Sequence, residues 1–581
     1  MSIIKEITKD IKQHIKNAGY EVDNFVLSPS QRTELGDYQI NDAMTLAREY
    51  KKNPNVIAND IVTELSKDAR LENINVAGPG FINITLSKEF LVKSLNIISS
   101  NLLENIDKKE YKKIIIDFGG ANVAKSLHVG HLRSAILGQS LKNLGTLLGY
   151  EMIGDAHLGD YGRPLGLVIL EISKMYPELS YFDASYQGDY KDIELNITNK
   201  DLELIYPKAS NKAKEDEKYL EEAREITYKI QSKTRGYYDL WKKIIEISKE
   251  DIKKTYSSLG VSYELWLGES DSVPYIDELT SIIEEKNILK ESEGAQIIDV
   301  IEENETSPMP PVIYKSSTGA ATYATTDLAT ILMRKKEQNP DEIWYCIDSR
   351  QSLHIEQVFR VCKKIHLFEK EKLIHIGFGT MNGPDKKPFK TRDGGIMKLE
   401  DLISLVKEET YKRITNNSLT EEEKLVISTD TAIATLKYSD FLPIRTTDYV
   451  FDIKKFAELE GKTGPYIMYS TIRMSSLLEK AKEIKVKEIS KITTPEEKEL
   501  SIQILKLPLI LDKTLETKSM NEITEYIYKL TSIYNKFYSE NKILTEEDES
   551  KKESWILLTK VVYDINILLL NVLGIKLPKK M

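Results

Sequence analysis

Residues 126–141, SLHVGHLRSAILGQSL, hold two of the chain's seven histidines, three positions apart with Gly130 between them. His128 and His131 follow the apolar run IIIDFGG and open a segment with a helical apolar stripe. They therefore fall in the first turn of a helix after a buried strand. Residues three apart share a helix face, and a helix N-terminus favours anions. Imidazoles there can donate hydrogen bonds to a phosphate, and Gly130 removes a side chain that would block close approach. A lone histidine is most often an ordinary core or surface residue, but a pair at this place is harder to explain so. Zinc is the rival reading. No HExxH and no cysteine partner stand nearby, so phosphate chemistry is favoured and no protein-bound metal is expected.

The elements that must position this pair can be read on either side of it. Strand, Gly119–Gly120 loop and helix make the start of a doubly wound nucleotide-binding fold. Before it, residues 1–95 read as a small α+β unit: a helix over EITKDIKQHIKNAG with a Gly stop, a second over NPNVIANDIVTELSKDA, and a strand pair around the Gly-Pro-Gly turn of INVAGPGFINITLS. Residues 110–395 form the α/β domain. A lysine- and glutamate-rich helical insertion spans about 175–260, and the α/β pattern returns with AQIIDVI, PPVIYKS, EIWYCID and KLIHIGFG. From 396 the chain is almost wholly helical, with one region to 454 and a bundle over 455–581. The expected class is multidomain α/β plus α: a Rossmann-type, doubly wound parallel sheet with a small N-terminal α+β domain and a C-terminal all-helical bundle.

A chain of 581 residues is too long for one core and fits roughly three to five domains. Hydrophobic content of 41% and charged content of 30% suit a globular protein. No segment approaches 18 uninterrupted apolar residues, so no membrane partner is expected. The N-terminus lacks a secretory h-region. Cys346 and Cys362 are too few for a disulfide framework or a structural zinc site, which points to a reducing cytoplasm. Net charge of −10 argues mildly against a nucleic-acid partner, although a local basic stripe can sit on an acidic body.

HVGH resembles the HIGH signature of class I aminoacyl-tRNA synthetases, and the wider ANVAKSLHVGHLRS is similar to arginyl-tRNA synthetases. The resemblance continues in order through LGDYQINDAM, AGPGFIN, HLGDYG, YATTDLA, DSRQSLHIEQ, KPFKTRDGG, DYVFD, EGKTGPYIMYS and LNVLGIKLP. It implies a ligase that joins L-arginine to ATP as arginyl-adenylate and moves the arginyl group to the 3′ end of tRNA-Arg. ATP with Mg2+ would be a substrate, the enzyme would be a monomer, and activation would itself require tRNA. Displacement at phosphorus rests on positioning and charge stabilisation, with no protein nucleophile.

The resemblance also assigns residues. His128 and His131 would contact the phosphates. KKPFKTRDGG is a degenerate KMSKS loop lacking the Met-Ser core, with Lys387 and Lys390 at its two lysines and Arg392 close by; Lys125 would share their load. His354 and Gln357 would lie near adenosine. Asp327, four residues after Tyr323 on one helix face, suits a two-pronged grip on a guanidinium that lysine could not accept. Asn122, Gln351, His157 and Asp160 would complete the arginine side. Pro164 and Met468 each stand where the family usually has Gln. Tyr38, Gln39 and Asn41 would touch the tRNA elbow. Tyr528, Tyr534 and Tyr538 would stack on anticodon bases, although they cannot all face one way and some must be core. A charged substrate can be selected without hydrolytic editing, so no editing site is expected. A fold retained by an RNA-binding regulator, or a class I synthetase for another amino acid, are the competing readings.

Overall fold

The computed structural model describes every residue except 31, 33, 304, 306 and 391–395. The chain divides into two compact units, one of residues 1–109, 458–571 and 576–581, the other of 110–457 with 572–575.

The second unit is built on four parallel strands: β1 (Lys113–Phe118), β2 (Glu151–Asp155), β3 (Glu342–Cys346) and β4 (Leu373–His375). Their spatial order is β4-β3-β1-β2. Ile114, Ile115 and Ile116 of β1 are buried on both faces, as expected where helices cover both sides of a parallel sheet. Helix α1 (Gly130–Leu147) carries the chain from β1 to β2. Helix α2 (Arg163–Met175) follows β2, and α6 (Tyr323–Glu337) and α7 (Ser352–Lys364) flank β3. Ile115, Ile343 and Leu373 from the sheet pack with Leu328 and Ile331 of α6 and Val361 of α7. Each such side chain gains ~1.5–3 kcal/mol on full burial. The chain leaves β1 toward β2 on one side and returns with β3 on the other, so the strand order reverses between β1 and β3. Ligands of such sheets bind outside the carboxyl ends at that reversal.

Two of the four segments expected to continue the α/β pattern lie elsewhere. Ala295–Ile298 and Val312–Lys315 join Leu289–Ser292 in a separate antiparallel sheet. Glu293 and Gly294, both at positive φ, close the first hairpin. A two-residue turn of that kind joins antiparallel neighbours, whereas a parallel pair needs a long crossover.

The lysine-rich stretch forms α3 (Asn199–Glu215), α4 (Glu217–Gln231) and α5 (Tyr237–Ser258). Buried Glu171 of α2 anchors it: its carboxylate accepts from Lys212 Nζ at 2.8 Å and Tyr219 Oη at 2.7 Å and pairs with Lys208 at 2.9 Å. Burial pushes the carboxyl's pKa up, but these three donors outweigh it and hold the carboxyl down to about 2.

In the first unit an antiparallel sheet runs Ser28–Pro29, Tyr38–Ile40, Phe81–Leu86, Leu71–Ala77. Helices Ile3–Asn17 and Pro54–Leu65 accompany it, the latter capped by Asn53. The C-terminal helices belong to this same unit. Asn96 exchanges two 2.8 Å hydrogen bonds with the backbone of Ile489, and Lys498 pairs with buried Asp37 at 3.2 Å. Helix Glu549–Val572 is long and apolar enough to cross a membrane by composition, but its most apolar window is 61% buried. Trp555 donates to Glu497 at 2.9 Å and Asn566 to the hydroxyls of Thr471 and Thr531, as in the core helix of a bundle.

Candidate active site

A cavity of about 420 Å³ opens at the carboxyl ends of β1 and β3, where the strand order reverses. Close backbone packing shapes it. Gly119 has φ +67°, and a Cβ there would lie 2.2 Å from the Tyr263 hydroxyl; one on Gly120 would lie 2.6 Å from the His157 carbonyl oxygen. Ser134 of α1 ties the two strand ends together, accepting from Gly119 N–H at 2.8 Å and donating to the Cys346 carbonyl at 2.7 Å.

His128 and His131 line this cavity with ring centroids 4.0 Å apart. The backbone N–H of His128 donates to Nδ1 of His131, and that of Gly130 to Nδ1 of His128, both at 3.1 Å. With Nδ1 accepting, the proton of the neutral His128 ring sits on Nε2, leaving an N–H donor for a ligand; Nδ1 of His131 also lies 3.3 Å from the His128 carbonyl oxygen. Burial lowers both pKa values, that of His131 to about 4, with a smaller contribution from His128; neighbouring Lys125 and Arg350 lower His128 further. The pair therefore offers neutral donors at pH 7. Gly130 serves the pair more directly than the sequence suggested: a Cβ there would lie 2.8 Å from Cε1 of His128, so the glycine makes room for the imidazole itself. The turn is stitched to the chain beyond the segment of Lys387 and Lys390, with Val129 N–H donating to Met397 O at 3.1 Å and Leu399 N–H to Leu127 O at 2.9 Å.

Carboxylates gather around the same cavity. Asp117, Glu269, Asp327 and Asp348 line it with Asn122, His157, Arg350, Gln351 and His354. Asp327 Oδ2 lies 2.5 Å from His354 Nε2. That bond raises the histidine's pKa against the opposing effect of burial. Burial, with the charges of Asp160 and Asp327 adding to it, pushes the carboxyl of Glu269 up to about 7. Beneath the cavity, Arg334 of α6 is fully buried and its Nη2 lies 2.6 Å from carboxylates of both Asp117 and Asp155. Those carboxylates with His157 form a cluster of metal-ligating type. The guanidinium already satisfies both, so the cluster does not fit a cation site. Burial leaves Asp117 with a raised pKa.

Several expected residues lie outside the cavity lining. Asp160 is buried under it, accepting from Ser270 N–H at 2.9 Å and Ser270 Oγ at 2.6 Å, so its carboxylate supports the wall. Tyr323 is three-quarters exposed at the start of α6. Gln357 donates to the Pro310 carbonyl at 2.7 Å. Lys387 and Lys390 are exposed on the hairpin after Met381–Asn382, and Arg392 lies outside the described residues. Lys125 lines a neighbouring hollow that shares His128. Pro164 opens α2, and Met468 is buried in helix Gly464–Lys480.

The sequence reading missed Asp117, Glu269 and Arg334. Asp117 is hidden inside the apolar run of β1, and Glu269 sits in a polar stretch with no periodicity to single it out. Arg334 opens the Arg-Lys-Lys run after Ile331, Leu332 and Met333 and looks like the solvated end of a helix; only its burial sets it apart.

The candidate tRNA contacts divide by burial. Tyr38 and Tyr534 are fully buried, with Tyr534 Oη reaching Thr559 Oγ1 at 3.4 Å. They are core, so neither presents a ring face to a base. Gln39 donates to Asn83 at 2.9 Å, and Asn41 is exposed. Tyr528 lies 5.7 Å from Tyr466. Tyr538 carries the Arg473 guanidinium 4.7 Å from its ring centroid. It borders a hollow of about 350 Å³ with Arg473, Lys480 and Lys542.

Comparison with known proteins agrees along the whole chain. Residues 93–453 match the profile of tRNA synthetases class I (R), catalytic domain; residues 5–86 match the arginyl tRNA synthetase N terminal domain; residues 467–581 match the DALR anticodon binding domain. The arginine--tRNA ligase of Alkaliphilus oremlandii is 42% identical over 100% of both chains. The chain belongs to the arginyl-tRNA synthetase family. The arginine--tRNA ligase of Agathobacter rectalis is 39% identical, again over 100% of both chains. Among solved structures of this family, arginyl-tRNA synthetase from Plasmodium falciparum superposes with a TM-score of 0.81 at 25% identity, over 99% of each chain. That from Thermus thermophilus gives 0.80 at 19% identity over 100% of each chain and shares the fold. HVGH and its two neutral imidazoles thus sit within a family catalytic domain.

Proposed function

We infer that the protein is an arginine–tRNA ligase. It joins L-arginine to ATP as arginyl-adenylate with release of pyrophosphate, then moves the arginyl group to the 3′ end of tRNA-Arg with release of AMP. The observation that carries this reading is a single cavity that presents two neutral imidazole donors at a βα turn together with Asp327 and Glu269.

His128 and His131 donate through Nε2–H to the phosphates as negative charge builds in the displacement. Being neutral, they need no counter-charge in the empty site, and being fixed by backbone N–H groups they require little reorganisation. Gly130 leaves them room. Lys125, Lys387, Lys390 and Arg392 supply positive charge to the leaving pyrophosphate. Mg2+ arrives with ATP as the counter-ion of its phosphates. His354 and Gln357 border the adenosine. Asp327 grips the guanidinium, displacing its bond to His354; Glu269 adds a second carboxylate, which the arriving cation keeps ionised. Asn122, Gln351 and His157 hold the α-amino and carboxylate end, Tyr323 closes over it, and Asp160 supports the wall. Tyr538 with Arg473 and Tyr528 beside Lys462 are the aromatic–cation pairs suited to stacked anticodon bases. Gln39 and Asn41 are the N-terminal candidates for the tRNA elbow. The protein works as a cytoplasmic monomer with no editing site.

A charging assay against all twenty amino acids tests the reading. Arginine alone should be esterified to tRNA; preferential charging of another amino acid overturns it. Canavanine, nearly isosteric with arginine, should also be accepted. Pyrophosphate exchange should require tRNA, and exchange without it removes that requirement.

A further inference from the structure

Lys125 lies against the helical insertion, in the hollow beside the catalytic cavity that shares His128. Its Nζ lies 4.5 Å from the ring centroid of Tyr206, on α3. Asn199, Glu203 and Tyr206 are spaced by four and three residues and share one face of that helix. Each holds a different part of the signature loop. Asn199 Oδ1 accepts from Ser248 Oγ at 3.3 Å, and Ser248 Oγ accepts the backbone N–H of Ala124 at 3.0 Å. Asn199 is itself fixed by Asp251 at 2.8 Å. Glu203 pairs with Lys398, which bridges His128 across the short antiparallel pairing of 127–129 with 397–399.

The loop needs such support. Ala124 has φ +61°, a left-handed conformation that residues with a Cβ disfavour. It immediately precedes Lys125, so its dihedrals set where the lysine starts. A cation over an aromatic face is also bound more weakly than one against a phosphate. Tyr206 therefore confines the lysine beside the signature turn, and a triphosphate can draw the ammonium onward while its stem keeps the ring.

We propose that Asn199, Glu203 and Tyr206 form a positioning stripe for Lys125: the first two maintain the strained loop, and the Tyr206 ring keeps the lysine ordered beside His128, ready for the triphosphate. This rests on the reading of Lys125 as a phosphate contact. Tyr206 is a positioning residue, acting only through Lys125.

A double-mutant cycle in tRNA-dependent ATP–pyrophosphate exchange tests it, with Tyr206→Leu, Tyr206→Phe, Lys125→Met and the Lys125→Met/Tyr206→Leu pair. Tyr206→Leu should lower kcat/KM for ATP by about 5- to 10-fold with the KM for arginine unchanged. Tyr206→Phe, which keeps the ring, should restore it. In the Lys125→Met background, Tyr206→Leu should cost nothing further. Equal losses in both backgrounds, or a Phe variant as impaired as Leu, overturn the proposal while leaving the role of Lys125 intact. A fully active Lys125→Met enzyme removes that role and the proposal with it. If Tyr206→Leu does not fold, Tyr206→Met enters the same cycle with the same non-additive outcome expected.

Discussion

The two places where this protein is expected to meet RNA and nucleotide are built on different logic. At the mouth of the parallel sheet, side chains from seven separated segments converge because strand ends and helix starts are forced to one edge. In helix Asn521–Glu540, tyrosines and lysines alternate along one element, and what each does depends on the neighbour it faces. Tyr534 is lost to the core while Tyr538, four residues on, borders an open hollow with Arg473. A motif at a βα turn is therefore a strong statement about chemistry, because the turn can face only one place. An aromatic-rich helix is a weak one, because a helix has a buried and a solvated side.

Substitutions can break this comparison. The largest effect is expected at the signature: His128→Ala or His131→Ala should lower the rate of pyrophosphate exchange by ~10²–10³, with the KM for arginine little changed. A loss under tenfold in single-turnover measurements would remove the imidazoles as donors to the displacement. Next, Asp327→Asn should cost ~10- to 100-fold in kcat/KM for arginine, the value of a charge-assisted hydrogen bond. Glu269→Gln should cost less, acting on KM alone.

The bundle offers a paired test of about tenfold. Tyr538→Ala should raise the KM for tRNA by roughly tenfold through lost stacking, with the melting temperature close to that of the parent. Tyr534→Ala should do the reverse, destabilising by ~3–5 kcal/mol as for a large aromatic removed from a core, with the KM for tRNA near normal once folded. Identical behaviour of the two variants would erase the distinction between core and contact.

The smallest effect concerns pH. Glu269 loses its charge below about 7, and His354, whose pKa is raised by Asp327, becomes an imidazolium that competes for that carboxylate as pH falls. Both changes oppose a cationic substrate. The KM for arginine should therefore rise a few-fold as pH is lowered from 8 to 6, and Glu269→Gln should flatten the profile near pH 7. A flat profile in the parent protein would show that neither group faces the guanidinium.

The same contrast explains what could be read in advance. The helices Ile3–Asn17 and Pro54–Leu65, strand β1 and helix α1 follow from apolar period and turn residues. The antiparallel sheet of 289–315 did not, because short β-branched runs look alike whether they pair in parallel or not. Of the cavity, the histidines and Asp327 carry motif signals, whereas Asp117 and Glu269 carry none. Gly130 was read for its lack of a side chain, but which group occupies the vacated space required coordinates.

The sequence by itself determined the strand–turn–helix that places His128 and His131, since backbone sterics and hydrophobic period act locally. It also determined the family, since the matching segments recur in order along the whole chain. Only tertiary structure decided that Asp117 and Asp155 share buried Arg334, that Asp327 meets His354, and that Tyr206 lies beneath Lys125. Those outcomes depend on which solvent is displaced and which charges are brought together across tens to hundreds of residues. Burial and electrostatics of that kind belong to the packed molecule and are absent from any single segment of it.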